Sequence, residues 1–155
     1  MAPVLSAVNG KSALFIGQKS GIVYSLDSAT GNIIWAVQTS PGSYLGGHNW
    51  GISVDDTQVY ASVLNFFHVP WYLKNGTTTY GGGWVALDKV TGAVKWTTAN
   101  PANFDPNPNG RAGTSYGAGP ATVAGNVVLV GSADSIFVKG VPTFGSGGFA
   151  YGKIY

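Results

Sequence analysis

An all-β, antiparallel fold is expected for this chain from a strand–turn–strand unit that occurs twice, a composition rich in glycine, and a shortage of charge. Residues Ser25-Leu26-Asp27-Ser28-Ala29-Thr30-Gly31-Asn32-Ile33-Ile34-Trp35 return as Ala86-Leu87-Asp88-Lys89-Val90-Thr91-Gly92-Ala93-Val94-Lys95-Trp96, with Leu-Asp, Thr-Gly and Trp kept in place. In each copy two β-prone arms flank an Asp-x-x-Thr-Gly turn. Its Gly suits a positive φ, and its Asp can accept from amides two or three residues on. The 155 residues include 24 Gly, and 9% are charged, against about 7% Gly and about 25% charged in ordinary globular chains. All six acidic residues are Asp, and the missing Glu argues against long exposed helices. A long-period repeat made of strands points to propeller blades rather than to a helical solenoid.

In chain order, residues 4–8 and 13–16 are read as strands joined by Asn9-Gly10-Lys11-Ser12, and 22–26 and 33–38 as strands around the first repeat turn. Together they make a four-stranded blade, 3–39. A second blade, 48–98, takes strands 50–54 and 58–64 around Asp55-Asp56-Thr57 and strands 84–87 and 93–97 around the second repeat turn, with an insertion at 65–82. A third, 118–155, takes strands 118–123 and 126–131 and a third strand from near Phe149. There Gly152-Lys153-Ile154-Tyr155 aligns with Gly21-Ile22-Val23-Tyr24, so this blade is expected to be incomplete and the chain to be a fragment of a larger array. Up-and-down alternation puts the tight turns 9–12, 27–31, 55–57, 88–92 and 124–125 on one face. The long loops 17–21, 39–49, 65–83, 98–117 and 131–148 fall on the other, where binding groups are expected.

The pattern Ala-x-Asp-x-x-x-Gly-x-x-x-Trp is met in full at 86–96, and with Ser25 for Ala at 25–35. It resembles the tryptophan-docking repeat of the pyrroloquinoline quinone (PQQ) propeller family. Gly17-Gln18-Lys19-Ser20-Gly21, Gly46-Gly47-His48-Asn49-Trp50-Gly51 and Gly82-Gly83-Trp84-Val85-Ala86-Leu87-Asp88 are similar to its polyvinyl-alcohol-dehydrogenase-like branch. The resemblance implies about two and two-thirds PQQ-type blades cut from a ring of about eight. It also implies a secreted or periplasmic parent that oxidises hydroxyl groups with PQQ and Ca²⁺. The alternative is a non-catalytic propeller, a scaffold or binding module. Under either reading the expected partners are the remaining blades or further copies of the chain, and a hydroxylated small molecule or polymer. With under three blades, no tight cofactor binding and no activity are expected of the fragment alone.

Lys19, His48 and Trp50 are the candidates for the cofactor side. PQQ carries three carboxylates, and Lys19 on its glycine-lined loop can pair with one; the other reading is a solvated loop lysine. His48 is either a proton-transfer group beside the axis or a buried histidine satisfied by a backbone carbonyl. Trp50 follows it in the same loop. Trp35 and Trp96 are read as packing between blades with the indole N–H on a carbonyl, Asp27 and Asp88 as turn caps, and no residue matches a catalytic base by motif. Phe66, Phe67, Trp71 and Tyr72, with His68, form an aromatic insertion suited to a polymer or a sugar. Asp105-Pro106-Asn107-Pro108-Asn109-Gly110 has half of a calcium loop, but Tyr116 stands where the bidentate carboxylate belongs, so no metal site is expected. Asn75-Gly76-Thr77 is a turn signal and also an acceptor sequence for N-glycosylation. The net charge of +2 comes from scattered Lys and Arg with no basic run, which speaks against nucleic acid. Cys is absent, and no apolar run approaches the roughly 20 residues of a membrane helix.

Overall fold

The computed structural model describes residues 1–100, 116–117, 119–125, 127–133, 135–138, 141–144 and 149–153. Antiparallel strands make up its regular structure, and no helix occurs among the described residues. Strands β1 (Val4–Val8), β2 (Lys11–Gly17), β3 (Ile22–Asp27) and β4 (Ile33–Gln38) form the first blade in chain order. Asn9 and Gly10 both take positive φ, 49° and 77°, with Val8 opposite Lys11. That is the two-residue type I′ hairpin favoured by Asn-Gly. Strand β2 therefore begins at Lys11, ahead of the expected 13.

The second blade departs from expectation at its inner strand. In place of one strand over 50–54 there are two short ones, β5 (Gly46–Gly47) and β6 (Ser53–Val54), both paired with β7 (Gln58–Asn65). Continuing the Ser53↔Tyr60 register would set Asn49 opposite Leu64, yet Gly47 holds that place, so two extra residues loop out between them. The third blade repeats the break. Strands β12 (Tyr116–Gly117) and β13 (Thr122–Ala124) share β14 (Val127–Ala133) where a single strand over 118–123 was expected. Their registers again differ by two residues: the Thr122↔Leu129 register would put Gly119 opposite Ser132, and Gly117 is found there.

Between β7 and β10 (Gly83–Asp88), the insertion carries the small hairpin β8 (Trp71–Tyr72) and β9 (Thr78–Thr79). Buried Asn65 holds both ends of this insertion. Its Nδ2 donates to the carbonyls of Val69 (2.7 Å), Tyr80 (3.2 Å) and Gly81 (3.3 Å), and its Oδ1 accepts from Val69 N–H (3.2 Å). Strand β11 (Val94–Ala99) closes the second blade on the far side of β10. The expected loop over 131–148 instead holds the hairpin β15 (Ser135–Val138) and β16 (Val141–Phe144), and β17 (Phe149–Lys153) pairs with β14. The Asp105–Gly110 run, Arg111, Asp134 and Lys139 lie outside the described residues.

Strand alternation divides the core into two seams. Val59, Ala61 and Val63 of β7 with Val85 and Leu87 of β10 face Ala13, Phe15, Val23 and Trp35 of the first blade. Their neighbours Tyr60, Trp84 and Ala86 face Ala121, Val128 and Val130 of the third. Blade two is thus buried on both faces, and each large aliphatic side chain so removed from water contributes about 1.5–3 kcal/mol. Trp35 locks the first seam. Its indole N–H donates to the Lys89 carbonyl (3.2 Å), and its ring lies where a Cβ on Gly92 would be, 2.7 Å from Cδ2.

The turns are capped as their sequence implies. Asp88 Oδ1 accepts from Val90 N–H (3.0 Å), Thr91 N–H (2.9 Å) and the Thr91 hydroxyl (3.0 Å). Asp27 Oδ1 does the same with Ala29 N–H, Thr30 N–H and the Thr30 hydroxyl, at 2.9, 2.9 and 3.1 Å. The Lys95 ammonium, 2.9 Å from Asp88 Oδ2, and then the Thr91 amide hold the Asp88 carboxyl far below the ordinary range.

Candidate functional site

Three loops meet on the face opposite these capped turns. The β2–β3 loop, residues 18–21, packs backbone to backbone on the 39–49 connection. His48 N–H donates to the Gln18 carbonyl (2.9 Å), Ser43 N–H to Lys19 (3.0 Å) and Thr39 N–H to Gly21 (2.9 Å). Gly47 makes the approach possible. It has φ +62°, and a Cβ there would stand 2.5 Å from both Gly21 N and the Lys19 carbonyl oxygen. The third loop enters through Phe66 N–H, which donates to Leu45 O (3.3 Å), and through the Trp71 indole, which donates to Thr39 O (2.9 Å).

Lys19 and His48 line one shallow depression of about 350 Å³, together with Gly17, Gln18 and Asn49. Trp50 is 41% exposed and lies outside that lining. Lys19 is an exposed cation, and its ammonium donates to the Tyr44 carbonyl at 2.9 Å. His48 is 1% exposed and both of its ring nitrogens are engaged. Nδ1 is 2.9 Å from the Ser62 carbonyl oxygen and Nε2 is 2.6 Å from Thr39 Oγ1. A carbonyl only accepts, so Nδ1 carries the proton. Burial pushes the imidazole down to about 4 in spite of the Ser62 and Gly21 carbonyls that favour its charged form, so the ring is neutral at pH 7. Nε2 then accepts from the Thr39 hydroxyl, while Gly21 O keeps the Thr39 amide. His48 thus ties the end of blade one to Ser62 in blade two, at the break in the inner strand.

Asn49 is the group that sequence reasoning passed over. Its Nδ2 donates to Gly46 O (3.2 Å), but its Oδ1 is buried with no partner among the described residues. An unmatched acceptor buried at the edge of a depression invites an N–H, an O–H or a cation. Its signal was its place in the glycine-rich string 46–51; Thr39 gave none. Beside Lys19 an aromatic ledge stands exposed, with Tyr44 tilted against Phe67 at a centroid distance of 5.1 Å and Phe67 edge-on to Phe66 at 5.4 Å. Of the insertion's other aromatics, Trp71 is buried in the first seam and Tyr72 is 76% exposed. His68 has φ +52° and its Nδ1 lies 3.0 Å from Tyr80 O. Among the described residues no three His, Cys, Asp or Glu side chains gather to hold a metal ion.

The fold as a whole is similar to solved propellers. The fold superposes on a quinohemoprotein alcohol dehydrogenase of Pseudomonas putida HK5 with TM-score 0.54 and 16% identity, over 84% of this chain and 20% of that one. A europium-containing methanol dehydrogenase gives TM-score 0.55 and 16% identity, over 84% of this chain and 25% of that one. The likeness shows the fold, antiparallel blades of a β-propeller. In sequence the chain is 41% identical over 93 residues to the polyvinylalcohol dehydrogenase of a Sphingopyxis species, a match that spans 59% of this chain and 13% of that protein. No family model matches the chain. No helix among the described residues is long and apolar enough to cross a membrane.

Proposed function

We propose that these blades belong to a PQQ-dependent, polyvinyl-alcohol-dehydrogenase-like enzyme, secreted or periplasmic, that oxidises hydroxyl groups, and that their loop face forms one sector of its cofactor and substrate site. What carries this reading is the pairing of the Lys19 ammonium with the unmatched Asn49 Oδ1 around one depression, in a chain related to polyvinylalcohol dehydrogenase. The pair suits a carboxylated quinone. Lys19 can exchange the neutral Tyr44 carbonyl for a carboxylate, a stronger, charge-assisted partner. Asn49 Oδ1 can accept a ligand N–H or a substrate hydroxyl. PQQ, when bound, supplies the two-electron acceptor for alcohol oxidation. His48 acts by position, since its ring nitrogens are used in the fold and its backbone N–H anchors the Gln18–Gly21 loop that carries Lys19. No three His, Cys, Asp or Glu side chains gather among the described residues, and no step is assigned to a calcium ion.

Tyr44, Phe66 and Phe67 give an extended polymer an apolar ledge beside the depression, where the backbone of a polyhydroxylated chain can lie against the rings. The test uses a full-length enzyme built on these blades, with PQQ affinity measured for wild type, Lys19→Ala and Lys19→Arg. Loss of one charged hydrogen bond is worth about 1.5–3 kcal/mol, so Lys19→Ala should weaken PQQ binding about 10- to 150-fold, with partial recovery in Lys19→Arg. Equal affinity in all three would remove Lys19 from the site.

A further inference from the structure

The two capped turns are alike except in what meets the second carboxylate oxygen. Asp27 and Asp88 each spend Oδ1 on two amides and a threonine hydroxyl. Asp88 Oδ2 is then taken by the Lys95 ammonium at 2.9 Å. Lys95 is placed by a bulge: Ala86 pairs with Trp96 and Leu87 with Val94, which leaves Lys95 as the extra residue of its strand. Blade one has the same bulge, with Ser25 opposite Trp35 and Leu26 opposite Ile33, and its extra residue is Ile34. A bulge re-aims a side chain, so the aim is kept while the ammonium is lost. Among the described residues no hydrogen bond or ion pair reaches Asp27 Oδ2. The Thr30 and Ala29 amides, with a smaller pull from the Lys11 ammonium, hold the Asp27 carboxyl below its ordinary range, so this open oxygen is charged at pH 7.

The exchange of lysine for isoleucine also leaves room. A depression of about 320 Å³ lies at the capped-turn end of blade one, with an apolar lining from Val8, Ala13 and Ile34 and a charge of each sign from Lys11 and Asp27. Its volume is that of a site for a small molecule. It is at the end of the blade opposite Lys19 and His48, so it stands apart from the proposed cofactor sector. We propose that this depression binds a small aliphatic zwitterion, whose ammonium takes Asp27 Oδ2 in the place that Lys95 takes on Asp88, whose carboxylate takes the Lys11 ammonium, and whose methylenes lie against Val8, Ala13 and Ile34. Blade two supplies the template, because Lys95 is itself an ammonium on an aliphatic stem. A simple amine is repelled by Lys11 and a simple carboxylate by Asp27; a ligand with both charges is matched at both ends. Both charged groups are open to solvent, so the affinity is about millimolar.

The test is an amide NMR titration of the 155-residue chain with 5-aminopentanoate, whose stem matches that of a lysine side chain, next to pentylamine and pentanoate, which each lack one charge. Saturable shifts are expected at residues 8–13, 27 and 34, strongest with the zwitterion. Ile34→Lys rebuilds the ion pair of blade two at an exposed position, so it should shift the same amides without ligand and abolish the response to it. Asp27→Asn keeps a carbonyl oxygen for the turn and should lose binding, and Lys11→Ala should weaken it about two- to fivefold. Should Asp27→Asn fail to fold, Ile34→Lys decides. No saturable shift at these residues up to tens of millimolar, or unaltered binding in Ile34→Lys, overturns the proposal. Pentylamine binding as tightly as 5-aminopentanoate, with no effect of Lys11→Ala, overturns it too, since the site would then serve simple amines.

Discussion

At Asp27 and Asp88 one carboxylate oxygen gathers two amides and a threonine hydroxyl, and Asp55 repeats the geometry at the Thr57 and Gln58 amides, 2.7 Å each. These contacts were legible because they are local: an Asx turn needs only its own few residues. His48 was legible only in part. Its sequence allowed both a proton-transfer role and a buried one, and what decides for a buried tie is Thr39 and Ser62, which no spacing connects to it. Its titration gives a prediction. Between pH about 6.5 and about 4 the unfolded chain protonates this imidazole and the folded one does not, so stability falls as pH drops through that window. The full effect is about 3 kcal/mol, from 1.36 kcal/mol per pH unit. Urea melts at pH 7 and pH 4 should show that decline, and His48→Gln should flatten it; an equal slope in the variant would assign the loss to other groups.

Strands with an alternating pattern and a tight turn could be read directly, as at 4–8, 22–26 and 33–38. The inner strands of blades two and three could not, because a two-residue loop-out leaves the composition of the string unchanged and appears only as a register step on β7 and β14. Gly119 and Pro120 carried a hint, since proline cannot donate to a ladder. The same rule, applied to Pro142, hid β16. At the level of the repeat the prediction concerns two glycines. Gly31→Ala and Gly92→Ala impose equal backbone strain at nearly equal φ, but only at Gly92 does the new methyl meet Trp35. Gly92→Ala should therefore be the more destabilising, by about 1–3 kcal/mol, the usual range for overpacking. Equal losses would mean that Trp35 can move aside without cost and is no lock.

Across the whole molecule, the separation of tight turns from long loops was the most useful result of the sequence, since it placed Lys19 and His48 on one face before any coordinates. The depression, the ledge and the unmatched Asn49 oxygen depend on how three loops stack, and that stacking rests on the close approach of Gly47 to Lys19 and Gly21. If, as proposed, these blades are one sector of a larger ring, an axial ligand would touch many further blades, and binding to this chain should be weak but correctly placed. The direct measurement is an NMR titration of PQQ into the 155-residue chain and its Lys19→Ala variant. The account predicts fast-exchange shifts centred on residues 17–21 and 46–49, weaker than micromolar in affinity and lost in the variant. Shifts confined to the capped-turn face at 27–31 and 88–92, or an identical pattern with and without Lys19, would contradict it.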